Sequence, residues 1–262
     1  MKSHCVRWLT LSLLLLPSLT LNVYANSISL GTAGSFRVLA GSTVTNTGSS
    51  VITGNLGVSP GTAITGFPPG IVTGGAIHAG DAIAQTAQAD LMTAYNAAAG
   101  QTPTLVLTGQ DLGGLTLTPG VYFFTSSAQL TGTLTLNTEG NPNAVFVFQI
   151  GSTLTTASNS AVVFTSSLTD KNVYWQVGSS ATLGTTTAFA GNILALTSIT
   201  LNNGASIGCG SALAINGAVT MNNNVIGGGC GGGSTVPEPG TMSLMGSGLV
   251  ILAGAAFRRI RR

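Results

Sequence analysis

The chain has 262 residues, of which 44% are hydrophobic and only 5% charged, and its formal net charge is +2 at pH 7. Six of the eight basic residues sit at the two ends (Lys2, Arg7, Arg258, Arg259, Arg261 and Arg262), so between Asn26 and Thr235 Arg37 and Lys171 oppose Asp81, Asp90, Asp111, Glu139 and Asp170, a local balance of −3. This excludes nucleic acid as a partner, because displacing its counterions takes a basic stripe, and leaves a body whose surface is Thr, Ser, Asn and Gly.

Residues 1–25 have the order of a secretory signal peptide: Lys2 and Arg7, the apolar run from Trp8 to Leu16, the breaker Pro17, and the small residue Ala25 as a cleavage site before Asn26. The mature protein is expected outside the cytoplasm. Ser27 to Ala76 is rich in Thr, Gly and β-branched residues, with Pro60, Pro68 and Pro69 marking loops, and reads as short strands joined by tight turns. Composition then changes. From Asp81 to Ala99 the chain is Ala-rich and free of Gly and Pro, with Ile83, Ala87, Leu91, Tyr95 and Ala99 at i, i+4 steps, which predicts one helix lying along the body. Asp81 is its N-cap, Gly100 follows its end, Pro103 stops it, and His78 packs or caps near its start.

Beyond the helix one phrase recurs: Leu115-Thr116-Leu117, Leu134-Thr135-Leu136, Ser152-Thr153-Leu154, Ala181-Thr182-Leu183, Ile199-Thr200-Leu201 and Val219-Thr220-Met221. Apart from one longer step, the central Thr returns after much the same interval each time, too long for a hairpin and too short for a βαβ unit, but the length of one solenoid coil. The longer step, from Thr153 to Thr182, contains Asp170-Lys171 and Tyr174-Trp175 and carries an excursion. β-Branched and aromatic runs such as Val145-Phe146-Val147-Phe148 supply the apolar area that a disordered chain lacks. Cys209 and Cys230 are separated by about one coil, and in an oxidising compartment form a disulfide, with two inert thiols as the alternative.

Residues 227–235 are a Gly-rich spacer, and residues 236–262 are a separate unit: Pro237, Glu238 and Pro239, the uncharged stretch from Thr241 to Phe257, and a basic end. That stretch, at ~1.5 Å per residue, barely spans a bilayer core. The segment reads either as a membrane anchor or, in its order of motif, apolar span and arginines, resembles the PEP-CTERM sorting signal of Gram-negative bacteria. That resemblance implies cleavage by an exosortase-type enzyme, a final place on the cell surface or in extracellular matrix, and an exopolysaccharide-making host. Membrane contact is then confined to this segment before processing.

No nucleophile elbow, metal-protease motif or phosphate loop is present, and His78 is the only histidine of the mature chain. The acids are scattered rather than paired, so no catalytic, cofactor or metal site is expected. A binding surface is expected instead. With Phe189 and Ile207 turned to the core, alternation places Thr156, Ser158, Ser160, Thr186, Ala188, Gly204 and Ser206 outward in one small, uncharged row. Methyls that cage water and hydroxyls that anchor it suit such a row to an ordered water surface.

Many stretches in order, among them Leu30-Gly31-Thr32-Ala33, Val38-Leu39-Ala40, Gly54-Asn55-Leu56-Gly57-Val58-Ser59-Pro60-Gly61, Gly74-Gly75-Ala76-Ile77-His78, Leu117-Thr118-Pro119-Gly120-Val121-Tyr122, Ala144 to Ile150 and Asn172 to Gly178, are similar to the ice-binding protein family DUF3494 over about residues 28 to 226. The resemblance implies an all-β, right-handed, discontinuous β-solenoid of triangular section with one long helix alongside, within a domain of residues 26–226, and adsorption to ice through one flat side. A second reading is an adhesin or matrix protein on the same scaffold, binding polysaccharide through exposed aromatics, for which Tyr174 and Trp175 are the candidates, although a place in the core is the favoured reading of that pair.

Overall fold

The computed structural model describes residues 25–166 and 172–227. Short β-branched strands cannot bury both faces alone, so they stack. All strand pairs are parallel, in one 15-stranded and one 7-stranded sheet. Each coil has three sides. The larger sheet folds over two of them, and in Ala188–Ala195 and Ser206–Ala214 a single strand runs from the third side onto the first through a register shift. The smaller sheet forms the second side, in the order 128–130, 154–156, 181–183, 199–201, 219–222, 43–47, 63–65.

That order is discontinuous. The N-terminal coils stack beyond the C-terminal one, with Thr45 beside Thr220 and Val51 beside Val225. The coil that begins at Val219–Asn222 and Val225–Ile226 takes its remaining side from Phe36–Ala40, which pairs with Ser206–Ala214. From the strand at Ile77–Ala79 to the strand at Leu105–Val106 there are eight strand steps on the first side, roughly 38 Å at the usual strand spacing. The helix Ala82–Ala99 carries the chain back along this distance, covering roughly 27 Å of it.

Asp81 caps the helix by accepting from Ala84 N–H, and its other oxygen meets His78 Nδ1 at 2.7 Å. The buried stripe is Ala84, Ala87, Leu91, Ala94 and Ala98, not the i, i+4 series, and Ile83 is 50% exposed. A step of four overshoots one helical turn, so a pure i, i+4 row drifts off the contact line, whereas alternating steps of three and four stay on it. Three glutamines tie the helix down. Gln149 Nε2 donates to the carbonyls of Ala98 and Gln101, both at 2.8 Å, and to Ala99; Gln176 donates to Tyr95 Oη at 2.8 Å, and the helix's own Gln88 donates to Ala214 O. Gln149 thus serves the helix end from across the interface. Gln149→Leu is expected to cost about 1–3 kcal/mol in urea unfolding, the penalty for stranding the buried Ala98 carbonyl, and to speed amide exchange selectively at residues 94–99.

The interior is an aromatic ladder at coil spacing. Tyr122, Phe148, Trp175 and Phe189 follow one another with ring centroids 5.3, 3.8 and 4.9 Å apart, and Trp175 Nε1 donates to Ala190 O. Trp175 is fully buried and Tyr174 is 4% exposed with its hydroxyl on Ile28 O, so neither offers a polysaccharide platform. Phe189 and Ile207 face the core, in register with each other. Cys209 is disulfide-bonded. Its expected partner Cys230, the pair Asp170-Lys171, the leader as far as residue 24 and the sorting residues Pro237, Glu238 and Pro239 lie outside the described residues.

Candidate surface-binding site

On the second side, strand alternation sorts the sequence cleanly. Ala128, Leu130, Leu154, Ala181, Leu183, Ile199, Leu201, Val219, Met221 and Val44 point inward and are buried. Between them, Gln129 lies beside Thr155, Thr155 beside Thr182, Thr182 beside Thr200, Thr200 beside Thr220, Thr220 beside Thr45, and Thr45 beside Thr65. The result is a row of six threonines on successive strands, spaced about 4.8 Å apart. Among the described residues none of their hydroxyls is bonded to a protein group, so each is open to water.

Two residues earlier on the same strands a second row runs through Ser127, Thr153, Ser180, Ser198, Ala218 and Thr43, exposed or half-buried, with Ser127 Oγ and Thr153 Oγ1 2.8 Å apart. Neither row contains a charged side chain. The acids are used elsewhere as ties: Asp90 accepts from Thr32 N–H, and Asp111 from the N–H groups of Gly113 and Thr131. No cluster of three or more His, Cys, Asp and Glu suited to a metal exists among the described residues.

The row expected from sequence is dispersed. Thr156 and Ser160 are 3% and 1% exposed and point inward; Thr156 Oγ1 bonds Thr187 Oγ1 and Gly184 N, and Ser160 Oγ bonds Leu130 O. Ser158, Thr186 and Gly204 sit on the corner between the second and third sides, while Ala188 and Ser206 belong to the third side. Simple alternation fails at that corner because each coil inserts one left-handed residue there: Asn159, Thr186, Gly204 and Asn223, with φ of 60°, 56°, 71° and 52°. They stack through Asn159 N to Thr185 O, Thr186 N to Asn203 O and Gly204 N to Asn222 O. Left-handed backbone costs a β-branched residue about 1–2 kcal/mol but is tolerated by Asn. Thr186→Asn is therefore expected to raise stability by about 1 kcal/mol in thermal unfolding and to leave surface binding unchanged.

The repeated phrase is itself split between sides. Thr182, Thr200 and Thr220 share the central row and Thr153 lies in the neighbouring one, but Thr116 and Thr135 pair with each other on the third side. Thr45 and Thr65 were missed because nothing local says that the N-terminal coils join this stack, although the alternation Thr43-Val44-Thr45-Asn46-Thr47 carries their signal.

A discontinuous three-sided β-solenoid with one side helix and an uncharged, hydroxyl-lined strand side defines a class of surface-adsorbing proteins. Residues 38–227 match the family described as Ice-binding-like, and residues 235–262 match the PEP-CTERM protein-sorting motif. The chain belongs to the ice-binding-like family, and its terminal motif marks it as exported and directed to the cell surface. The ice-binding protein of Nostoc sp. (strain HG1) is 60% identical over 244 residues, covering 91% of this chain and 90% of that protein. That of Colwellia sp is 34% identical, covering 76% and 83%. Among solved structures, an ice-binding protein from an Antarctic biological consortium has a TM-score of 0.74 at 50% identity, covering 78% of this chain and 91% of its own. The protein from the ascomycete Antarctomyces psychrotrophicus has a TM-score of 0.73 at 39% identity, covering 79% and 100%.

Proposed function

We propose that the exported chain binds ice through the second side, with Thr155, Thr182, Thr200, Thr220, Thr45 and Thr65 as its central contacts. The observation that carries this reading is the unbroken register of six threonines whose hydroxyls have no protein partner among the described residues. Each threonine offers a methyl, against which water orders, and a hydroxyl that can hold that water in place. The inward neighbours are packed aliphatics, so the row is held rigid before it meets ice, which lowers the ordering cost of binding. Adsorption at many such points restrains crystal growth and recrystallisation. Processing of residues 235–262 by an exosortase-type enzyme, and residence at the surface of a Gram-negative cell or in its matrix, accord with the sorting motif. The test is ice recrystallisation and thermal hysteresis with the exported chain at micromolar concentration; no effect on either would reject the reading.

Ice activity and fold stability are expected to respond differently to pH. The backbone N–H of Ala84, then His78, holds the Asp81 carboxyl below its ordinary range, and Thr32 N–H does the same for Asp90. Burial pushes Asp111 upward, but the N–H groups of Gly113 and Thr131 together outweigh it. Depressed carboxyl pKa values contribute stability that is present above the unfolded value and lost as pH falls through the folded one. Tm is expected to be flat from neutrality to about pH 4 and to fall below that. Ice recrystallisation inhibition should stay constant over the flat range, since neither row on the second side titrates.

A further inference from the structure

The three sides of the coil stack meet different surroundings. The helix Ala82–Ala99 covers the first side, and the second carries the threonine rows. The third side is bare, although parallel sheets are ordinarily covered on both faces. Its inward residues Leu134, Val162, Phe189, Ile207, Ile226 and Ile52 are buried. The alternate positions point outward in one unbroken row: Thr133 beside Ala161, Ala161 beside Ala188, Ala188 beside Ser206, Ser206 beside Val225, Val225 beside Val51, and Val51 beside Ile71. No charge interrupts this row, and Ile71 and Val225 are 51% and 47% exposed.

Side-chain size is distributed unevenly along the row. Ser206 is its midpoint, with Ala188, Ala161 and Thr133 on one side and the bulkier Val225, Val51 and Ile71 on the other. A two-fold axis through Ser206, parallel to the strands, lays the row of one chain over the same row of a second chain in reverse. Val225 then meets Ala188, Val51 meets Ala161, Ile71 meets Thr133, and Ser206 meets its own copy. Each bulky residue faces a smaller one, the self-complementarity that an isologous contact requires, and neither chain brings a charge to be desolvated. We propose that the third side is the interface through which two copies of this chain pair, sheet against sheet at the usual spacing of about 10 Å.

The available area fits a second copy. Counting the strand at Thr116–Leu117, which pairs with Thr133–Leu136, the third side is about 38 Å long. The strands Thr133–Leu136 and Ala161–Phe164 set its width at about 13 Å. Pairing therefore covers about 1,000 Å² in all, the lower limit for a specific interface, so the dimer is a reversible one. Because the axis runs along the strands, both threonine sides stay uncovered and emerge on the same flank of the pair. Ice contact does not depend on the pairing.

Sedimentation equilibrium of the exported chain, from micromolar to near-millimolar concentration, should show a monomer–dimer equilibrium. Val225→Asp, with its circular dichroism unchanged, should raise the dissociation constant at least ten-fold. A monomer at every concentration overturns the inference, and so does a dimer indifferent to Val225→Asp, the result that association through the apolar terminal segment would give. Register is read separately with single cysteines and a short thiol-reactive cross-linker. A mixture of Ile71→Cys and Thr133→Cys chains should give several-fold more cross-linked dimer than either chain alone, and Ser206→Cys should cross-link to its own copy. Equal or stronger cross-linking within each unmixed population, or none in the mixture, overturns the inference. Mass and cross-links are the readouts, so a failure of the ice reading leaves this test intact.

Discussion

Thr200→Tyr is expected to abolish inhibition of ice recrystallisation while leaving the fold intact. Thr200 stands mid-row, between Thr182 and Thr220, with Ile199 and Leu201 buried on either side of it in the strand. A phenol ring there stands several ångströms above its neighbours and keeps ice from the threonines on both sides, so one substitution removes the whole contact rather than one part in six. The expected loss is at least ten-fold in the concentration needed for inhibition. Because the side chain makes no hydrogen bond among the described residues and projects to solvent, stability should change by no more than about 0.5 kcal/mol, which is roughly 2 °C in Tm for a domain of this size. A parallel fall in Tm and activity would instead mean that the residue holds the coil together.

The opposite dissociation is expected for Trp175→Ala. Trp175 is clamped between Phe148 at 3.8 Å and Phe189 at 4.9 Å, and its indole N–H satisfies Ala190 O. Removing it opens a cavity in the middle of the stack and strands a buried carbonyl. Large-to-small aromatic substitutions of this kind cost about 3–5 kcal/mol, or about 10 °C in Tm, readable by circular dichroism. Coils contact mainly their neighbours, so the damage is expected to spread along the stack in both directions. Below the lowered Tm the threonine row is still in register, and activity per folded molecule should be retained.

Fold class was legible because the return of one threonine phrase at coil length and the single Ala-rich segment leave little else to build, and because many family stretches recur in order. The helix limits Asp81 and Gly100 were legible from capping chemistry, whereas its buried stripe was read with the wrong step. The binding side was read less well, for two physical reasons. The left-handed residue at each corner breaks the parity that alternation relies on, and so the row drawn through Thr156, Ser158 and Ser160 passes from interior to corner and back to interior. The order of stacking is also a property of the whole chain. The contact of Thr45 with Thr220, between the first and last coils in sequence, closes the threonine row, and only the way the N-terminal coils cap the C-terminal one reveals it.

The third side is the natural control for the second, since it is also built of small residues in register, with Ala188 beside Ser206 and Ser206 beside Val225. The decisive measurement is ice recrystallisation inhibition by two otherwise identical chains, one with Thr200→Tyr and one with Ser206→Tyr, both confirmed folded. The threonine row predicts loss in the first and full activity in the second. Loss in the second with activity kept in the first would place ice contact on the third side and contradict the account.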